Sequence, residues 1–224
     1  MTSTPVPVTP ELHAYLLAHS NQPDAVERDL IDYTQDLGSV ASMQIAPEQG
    51  LLLTMLVQSL GARRVVEVGT FTGLSSLAIA RGLAPGGSLV CCDISEEWTA
   101  RARQAWAASG VADRIELRIA PAIETLRALP QEEYLDFAFI DADKESYPSY
   151  YRELVARMRP GGLIAIDNVF QKGSVVQSER ARAVAEGWTD TLAIHEFNES
   201  LVADDRVDVV MLPIADGLTL ARKR

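Results

Sequence analysis

From residue 64 onward, short apolar runs alternate with segments whose apolar residues recur at helical spacing. RVVEVG (64–69), SLVCCDI (88–94), RIELRIA (114–120), YLDFAFID (134–141) and GLIAIDN (162–168) have the length and composition of strands. Between them, LSSLAIARGL (74–83), EEWTARARQAWAASG (96–110), AIETLRAL (122–129) and YPSYYRELVARM (147–158) read as helices, the last stopped by Pro160-Gly161-Gly162. Upstream, helices are predicted from Pro10 to about Ala18, over 24–37 with Gly38 as the stop, and over 48–60 with Gly61 as the stop. MQIAPEQG (43–50) is the loop leading into the third of these. A polar connection at 171–178 precedes a longer helical region to about Ala203. RVDVVMLPIADGLTLARK (206–223) then places two β-rich runs around Asp216-Gly217, a hairpin signal.

Strands that alternate with helices imply βαβ units, a parallel sheet and helices on both faces. The hairpin adds an antiparallel pair at one edge. We expect one α/β domain over 1–224, with a helical arm or cap at 1–60 and a core at 61–224. The first ten residues carry three prolines and are expected to be extended or poorly ordered.

Ligands of open α/β sheets lie beyond the carboxyl ends of the strands, so those ends carry the candidate chemistry. The first strand ends in Glu67, Gly69 and Gly73, the second in Asp93. The fourth ends in Asp141 with Asp143 and Lys144, and the fifth in Asp167-Asn168. Four of five parallel strands thus end in a carboxylate, a negative field that costs stability unless cations enter it. The glycine spacing is not the G-x-G-x-x-G dinucleotide fingerprint. An acidic turn of this kind suits a nucleoside with a positively charged tail, and Asp93 is placed to accept from ribose hydroxyls. Asp141, Asp167 and Asn168 supply three oxygen donors for a hard divalent ion such as Mg²⁺. A cation alongside Lys144 would repel its ammonium proton and make the amine a proton acceptor. The plainer readings are an Asp167-Asn168 turn capping the next helix, and a Lys144 salt bridge to Asp143 or Glu145.

Composition narrows the partners. A net charge of −11 with no basic cluster argues against nucleic acid. No apolar stretch is long enough for a membrane span, and the N-terminus lacks the basic and apolar regions of a secretory signal. Cys91 and Cys92, adjacent on a strand, should face opposite sides and stay as thiols in a reducing cytoplasm. The scattered His13, His19 and His195 have no zinc spacing.

MQIAPEQG, VVEVGTFTGLSS, CDISEEW, GVADRIELR, FIDADKESY, RPGGLIAIDNV and RVDVVMLPIADGLTLARKR together resemble the cation-dependent O-methyltransferases of the catechol and caffeoyl-CoA type, over about residues 40–224. The bacterial branch of that family is the nearest in character. The resemblance implies the class I Rossmann-like fold that binds S-adenosylmethionine (SAM), with a mostly parallel seven-stranded sheet and a C-terminal antiparallel hairpin. It implies Asp141, Asp167 and Asn168 as ligands of Mg²⁺, or of Mn²⁺ or Ca²⁺, and Lys144 with Asp141 as catalytic residues. Glu67, Gly69, Thr70 and Ser75 match contacts to the methionine part of SAM. Asp93 matches the ribose acid and Ala122 the adenine contact, with Ile45, Asp141 and Asp143 as further cofactor contacts. Met43, Lys144 and Asn168 match substrate contacts. The implied acceptor is a small catechol or related phenol, and the implied assembly a homodimer completed by the arm 1–42. The sequence departs from the family at 170–173, where Phe-Gln-Lys-Gly replaces a usual Trp-Gly pair, and 171–192 follows no family pattern. An NAD-dependent oxidoreductase and a non-catalytic nucleoside-binding protein are the rival readings. Trp98, Trp106, His195, Tyr147, Tyr150 and Tyr151 read as packing or surface residues, Trp98 also as a candidate wall for adenine.

Overall fold

The computed structural model describes residues 6–224; part of the proline-rich start, residues 1–5, lies outside the described residues. Seven strands form one sheet in the order β3-β2-β1-β4-β5-β7-β6. β1 (Arg64–Val68), β2 (Ser88–Asp93), β3 (Ile115–Ile119), β4 (Leu135–Ile140) and β5 (Met158–Asp167) run parallel. β7 (Leu218–Lys223) lies antiparallel against both β5 and β6 (Val207–Leu212). The expected seven-stranded sheet with a terminal hairpin is therefore present. Its topological switch falls between β1 and β4.

Strand alternation divides the core into two layers. Val66, Val68, Ala138, Ile140, Ile164 and Ile166 pack under α6 (Ala122–Ala128), α7 (Tyr147–Val155) and α9 (Thr189–Val202). Val65, Phe137, Phe139 and Ala165 face the opposite layer. That layer is made by α2 (Ala25–Gln35), α3 (Pro47–Ser59), α4 (Leu74–Gly82) and α5 (Glu96–Ala108), which bring Leu30, Leu53, Leu77 and Trp106. Cys91 belongs to this second layer and Cys92 to the first, and both are free thiols, as their adjacency on β2 requires. Among the described residues no helix is long and apolar enough to cross a membrane.

α1 (Pro10–Ala18) is capped by Thr9 and buries none of its residues. α2 starts on a full capping box, in which Asp24 and Glu27 satisfy each other's backbone N–H groups.

Three sequence expectations need correcting. The helix expected over 147–158 ends at Val155, and β5 begins at Met158 with Pro160-Gly161-Gly162 inside it. The Tyr134 and Leu135 N–H groups both bind the Arg157 carbonyl, which draws the chain into the sheet early. The register then jumps from Leu135–Met158 to Phe137–Leu163, so the proline-glycine run bulges out of the ladder and does not end the element. The helical region after 171 is two helices, α8 (Gln177–Ala185) and α9, broken at Gly187. The 43–50 segment is a loop only in part, because a 3-10 turn (Gly38–Met43) precedes it and α3 already begins at Pro47.

Candidate active site

The carboxyl ends of β1 and β2 form one side of the site. Glu67 shares the face of Val65 and is fully buried, and burial pushes its carboxyl up to about 7. The Ser75, Thr70 and Cys91 side chains pull in the other direction by hydrogen bonding, and Thr70 Oγ1 donates to Glu67 Oε2 at 2.9 Å. Glu67 Oε1 is buried without a partner. At Gly69 the chain turns with φ +89, and a Cβ there would stand 1.8 Å from the Asp141 carbonyl oxygen. Only glycine allows β1 and β4 to open this closely onto one rim.

Asp93, at the end of β2, fastens the turn. Its Oδ2 accepts from the Thr70 and Phe71 N–H groups at 2.9 and 2.8 Å, and its Oδ1 from Ser95 N–H at 2.7 Å. One lone pair remains on Oδ1 for a diol hydroxyl. The Phe71 ring meets the Trp98 edge at a centroid distance of 5.1 Å, so Trp98 also braces the glycine turn. Ala122, at the start of α6, is 8% exposed.

The ends of β4 and β5 form the other side. Lys144 sits on a 3-10 turn directly before α7. Its Nζ donates to Asp141 Oδ1 at 3.1 Å, to Asn168 Oδ1 at 2.6 Å and to the Tyr147 hydroxyl at 2.7 Å. The expected pairing with Asp143 or Glu145 is thus replaced by one with Asp141. Asp143 is exposed and accepts from the Tyr150 hydroxyl at 2.6 Å, outside this cluster. Asp167 is 2% exposed, and its carboxyl is pushed up to about 7, first by burial and then by the charge of Asp141. Its Oδ1 accepts from Asn168 N–H at 2.7 Å, where Asn168 stands at φ 57. That left-handed turn aims the Asn168 amide back toward Lys144.

Asp141 and Asn168, from the ends of two strands, therefore meet at one ammonium, and Asp167 lies near enough to feel the charges of Asp141 and Lys144. Two carboxylates and an amide are a hard-oxygen donor set of the kind a divalent cation takes. Among the described residues no three His, Cys, Asp or Glu side chains cluster as a metal site; here the third donor is an amide. The orphaned Glu67 oxygen likewise fits a cationic group at the other end of the rim.

Other expected residues lie nearer the edge. Ile45 is buried in the α3–α4 layer beside Gly50, whereas Met43 is 44% exposed. His195 contacts Arg180 and Glu199, away from the strand ends. Tyr147, expected only as a helix anchor, touches the site. Its hydroxyl accepts from Lys144 and donates to the Asp167 carbonyl at 3.2 Å. The i to i+3 spacing of Lys144 and Tyr147 at a helix start was the signal for it.

Behind Asn168 the chain is clamped by the β6–β7 turn. Val169 N–H donates to the Gly217 carbonyl, Phe170 N–H to the Asp216 carbonyl and Lys172 N–H to Asp216 Oδ1, at 3.2, 2.9 and 2.6 Å. The departure at 170–173 lies in this clamped stretch.

Residues 18–224 match the O-methyltransferase family. The "Probable caffeoyl-CoA O-methyltransferase 1" of Dictyostelium discoideum is 40% identical over 212 residues, covering 93% of this chain and 90% of that protein. The caffeoyl-CoA O-methyltransferase 2 of Zea mays is 38% identical over 187 residues, covering 81% and 70%. Among solved structures, the O-methyltransferase from Bacillus cereus in complex with SAH superposes with a TM-score of 0.82 at 30% identity, over 96% of this chain and 97% of that one.

Proposed function

The chain belongs to the O-methyltransferase family and has the class I SAM-dependent methyltransferase fold; from that premise we propose that it methylates one hydroxyl of a catechol-type acceptor with the help of a divalent cation. The observation that carries this reading is the convergence of Asp141 and Asn168 on Lys144 Nζ, with Asp167 adjoining.

SAM, when bound, supplies the electrophilic methyl group. Glu67 would hold its ammonium, Asp93 its ribose diol, and Ala122 the edge of its adenine, with Thr70 and Ser75 keeping the Glu67 carboxylate in place. Ile45, Gly69, Asp141 and Asp143 would complete the donor contacts. Asp141, Asp167 and Asn168 would hold a divalent cation such as Mg²⁺ or Mn²⁺, whose positive charge would favour ionisation of the acceptor hydroxyl. Lys144, released from its acidic partners, would take the proton from the reacting hydroxyl. Tyr147 would keep the amine aimed, and Met43 would meet the acceptor at the rim. Holding oxygen and methyl in line accounts for much of the acceleration.

The caffeoyl-CoA enzymes among the relatives favour a phenylpropanoid-like phenol, and the metal-centred donor set favours two vicinal hydroxyls. A screen of catechols, hydroxylated tyrosines and caffeoyl thioesters with SAM tests this, with and without Mg²⁺. We expect turnover of at least one catechol and its loss on adding EDTA. Full activity in EDTA would refute the role of the cation, and failure with every acceptor would favour a nucleoside-binding protein without catalysis. We also propose a homodimer, because α1 leaves Leu12, Tyr15 and Leu16 exposed; sedimentation as a monomer at micromolar concentration would contradict it.

A further inference from the structure

At the start of α3 and the end of β1, five buried polar atoms lack a partner: Gln44 Oε1, Glu48 Oε2, both amide atoms of Gln49, and Glu67 Oε1. The donor's ammonium accounts for the Glu67 atom. Gln49 has no such explanation. It is the third residue of α3, 0% exposed, and takes no part in the roles given above. Its amide faces the Asp167 carboxylate and helps hold it in the charged form, yet no hydrogen bond of normal geometry closes between them.

Asp167 Oδ1 is taken by Asn168 N–H, whereas Oδ2 receives no hydrogen bond from the described residues. A carboxylate pinned at one oxygen can still rotate about its own axis. A second donor would decide which lone pair it turns toward a cation. Leaving a buried amide unpartnered is costly, so its persistence beside that free oxygen asks for a state in which it is used.

We infer that Gln49 is a positioning residue for the cation: its side-chain N–H donates to Asp167 Oδ2 when the site loads, fixing the carboxylate in its ligating orientation. The inference rests on the divalent-cation reading of Asp141, Asp167 and Asn168. It ties the arm, through the first turn of α3, to the metal side of the site and not to the donor side.

The test is a Mn²⁺ titration followed by the electron paramagnetic resonance of free Mn²⁺, on the wild-type protein and on Gln49→Met, which keeps the length and removes the donor. Calorimetry with SAM runs in parallel. We expect Mn²⁺ affinity to fall by roughly ten- to a hundredfold while SAM affinity stays within about twofold. Equal Mn²⁺ affinity in the two proteins overturns the inference, as does a loss confined to SAM. A wild-type protein that binds no Mn²⁺ overturns the cation reading itself, which is a different failure. If Gln49→Met does not fold, the wild-type protein labelled with ¹⁵N-glutamine decides. The assigned Gln49 side-chain amide should shift on adding Mg²⁺, and an unmoved resonance at saturating Mg²⁺ overturns the inference.

Discussion

The two sides of the rim hold their carboxylates by different means. At the ends of β1 and β2 the fixing groups are neutral. Asp93 takes three backbone N–H groups and Glu67 a threonine hydroxyl. At the ends of β4 and β5 one ammonium does the work, bridging Asp141 and Asn168 while Asp167 lies buried close by. The first side is held by donors of the chain itself. The second is balanced on a single positive charge, a balance that, on the proposed function, a divalent ion would take over, freeing the amine.

Asp141→Ala should sharpen this contrast most. It removes a donor to the cation, and we expect kcat/KM to fall on the order of ten-thousandfold, the several kcal/mol that a metal's charge supplies. SAM affinity, measured by calorimetry, should fall far less, by the loss of the one contact that Asp141 would make to the donor; a collapse of SAM binding would mean that the two sides are not separate. Lys144→Ala should lower kcat by about a thousandfold, within the range of a lost general base. It should also lower the stability of the metal-free protein, because the neighbouring carboxylates then repel unscreened. Unchanged kcat would remove Lys144 from the chemistry.

Glu67→Gln tests the neutral side. We expect SAM affinity to drop by roughly ten- to a hundredfold through loss of a charge-assisted bond, with Mn²⁺ affinity unaltered. The pH dependence has a definite sign. The native carboxyl at about 7 lies above its ordinary 4.5, so between those values the native state binds more protons than the unfolded one. Wild-type stability relative to Glu67→Gln should therefore decline as pH rises from about 4.5 to about 7, by on the order of 3 kcal/mol. SAM affinity should rise over the upper part of the same interval, as the carboxylate becomes available to the ammonium. Denaturant melts at pH 5 and pH 8 read the first effect; parallel stability curves for the two proteins would rule out a shifted Glu67. Tyr147→Phe is the smallest change. Losing one hydrogen bond to Lys144 should cost about 1 kcal/mol, or roughly fivefold in kcat, with KM little changed.

What could be read in the sequence follows the same division. Each strand-end carboxylate was visible because an apolar run of strand length closes on an acid, a pattern that needs no distant partner. The hairpin was equally local, in Asp216-Gly217. Gln49 was not legible, because its meaning comes from Asp167 on a strand far along the chain. Pro160-Gly161-Gly162 misled for a related reason. The same residues stop a helix or bulge out of a strand, and only the hold of the Arg157 carbonyl on β4 decides between the two. The break at Gly187, which stands at φ 83, was hidden by helical composition on both sides; α8 packs back on α9, and α9 packs on α7 and β6.

The Gly217 contact with Phe170 has a consequence for engineering. A Cβ at Gly217 would fall 2.6 Å from the Phe170 ring, so the tip of the last hairpin and the residue two beyond Asn168 occupy one another's space. Lengthening that tip, or placing a bulky side chain on it, would push from behind on the very amide that faces the lysine. A remote edit at the tail of the chain would then register as weakened cation capture.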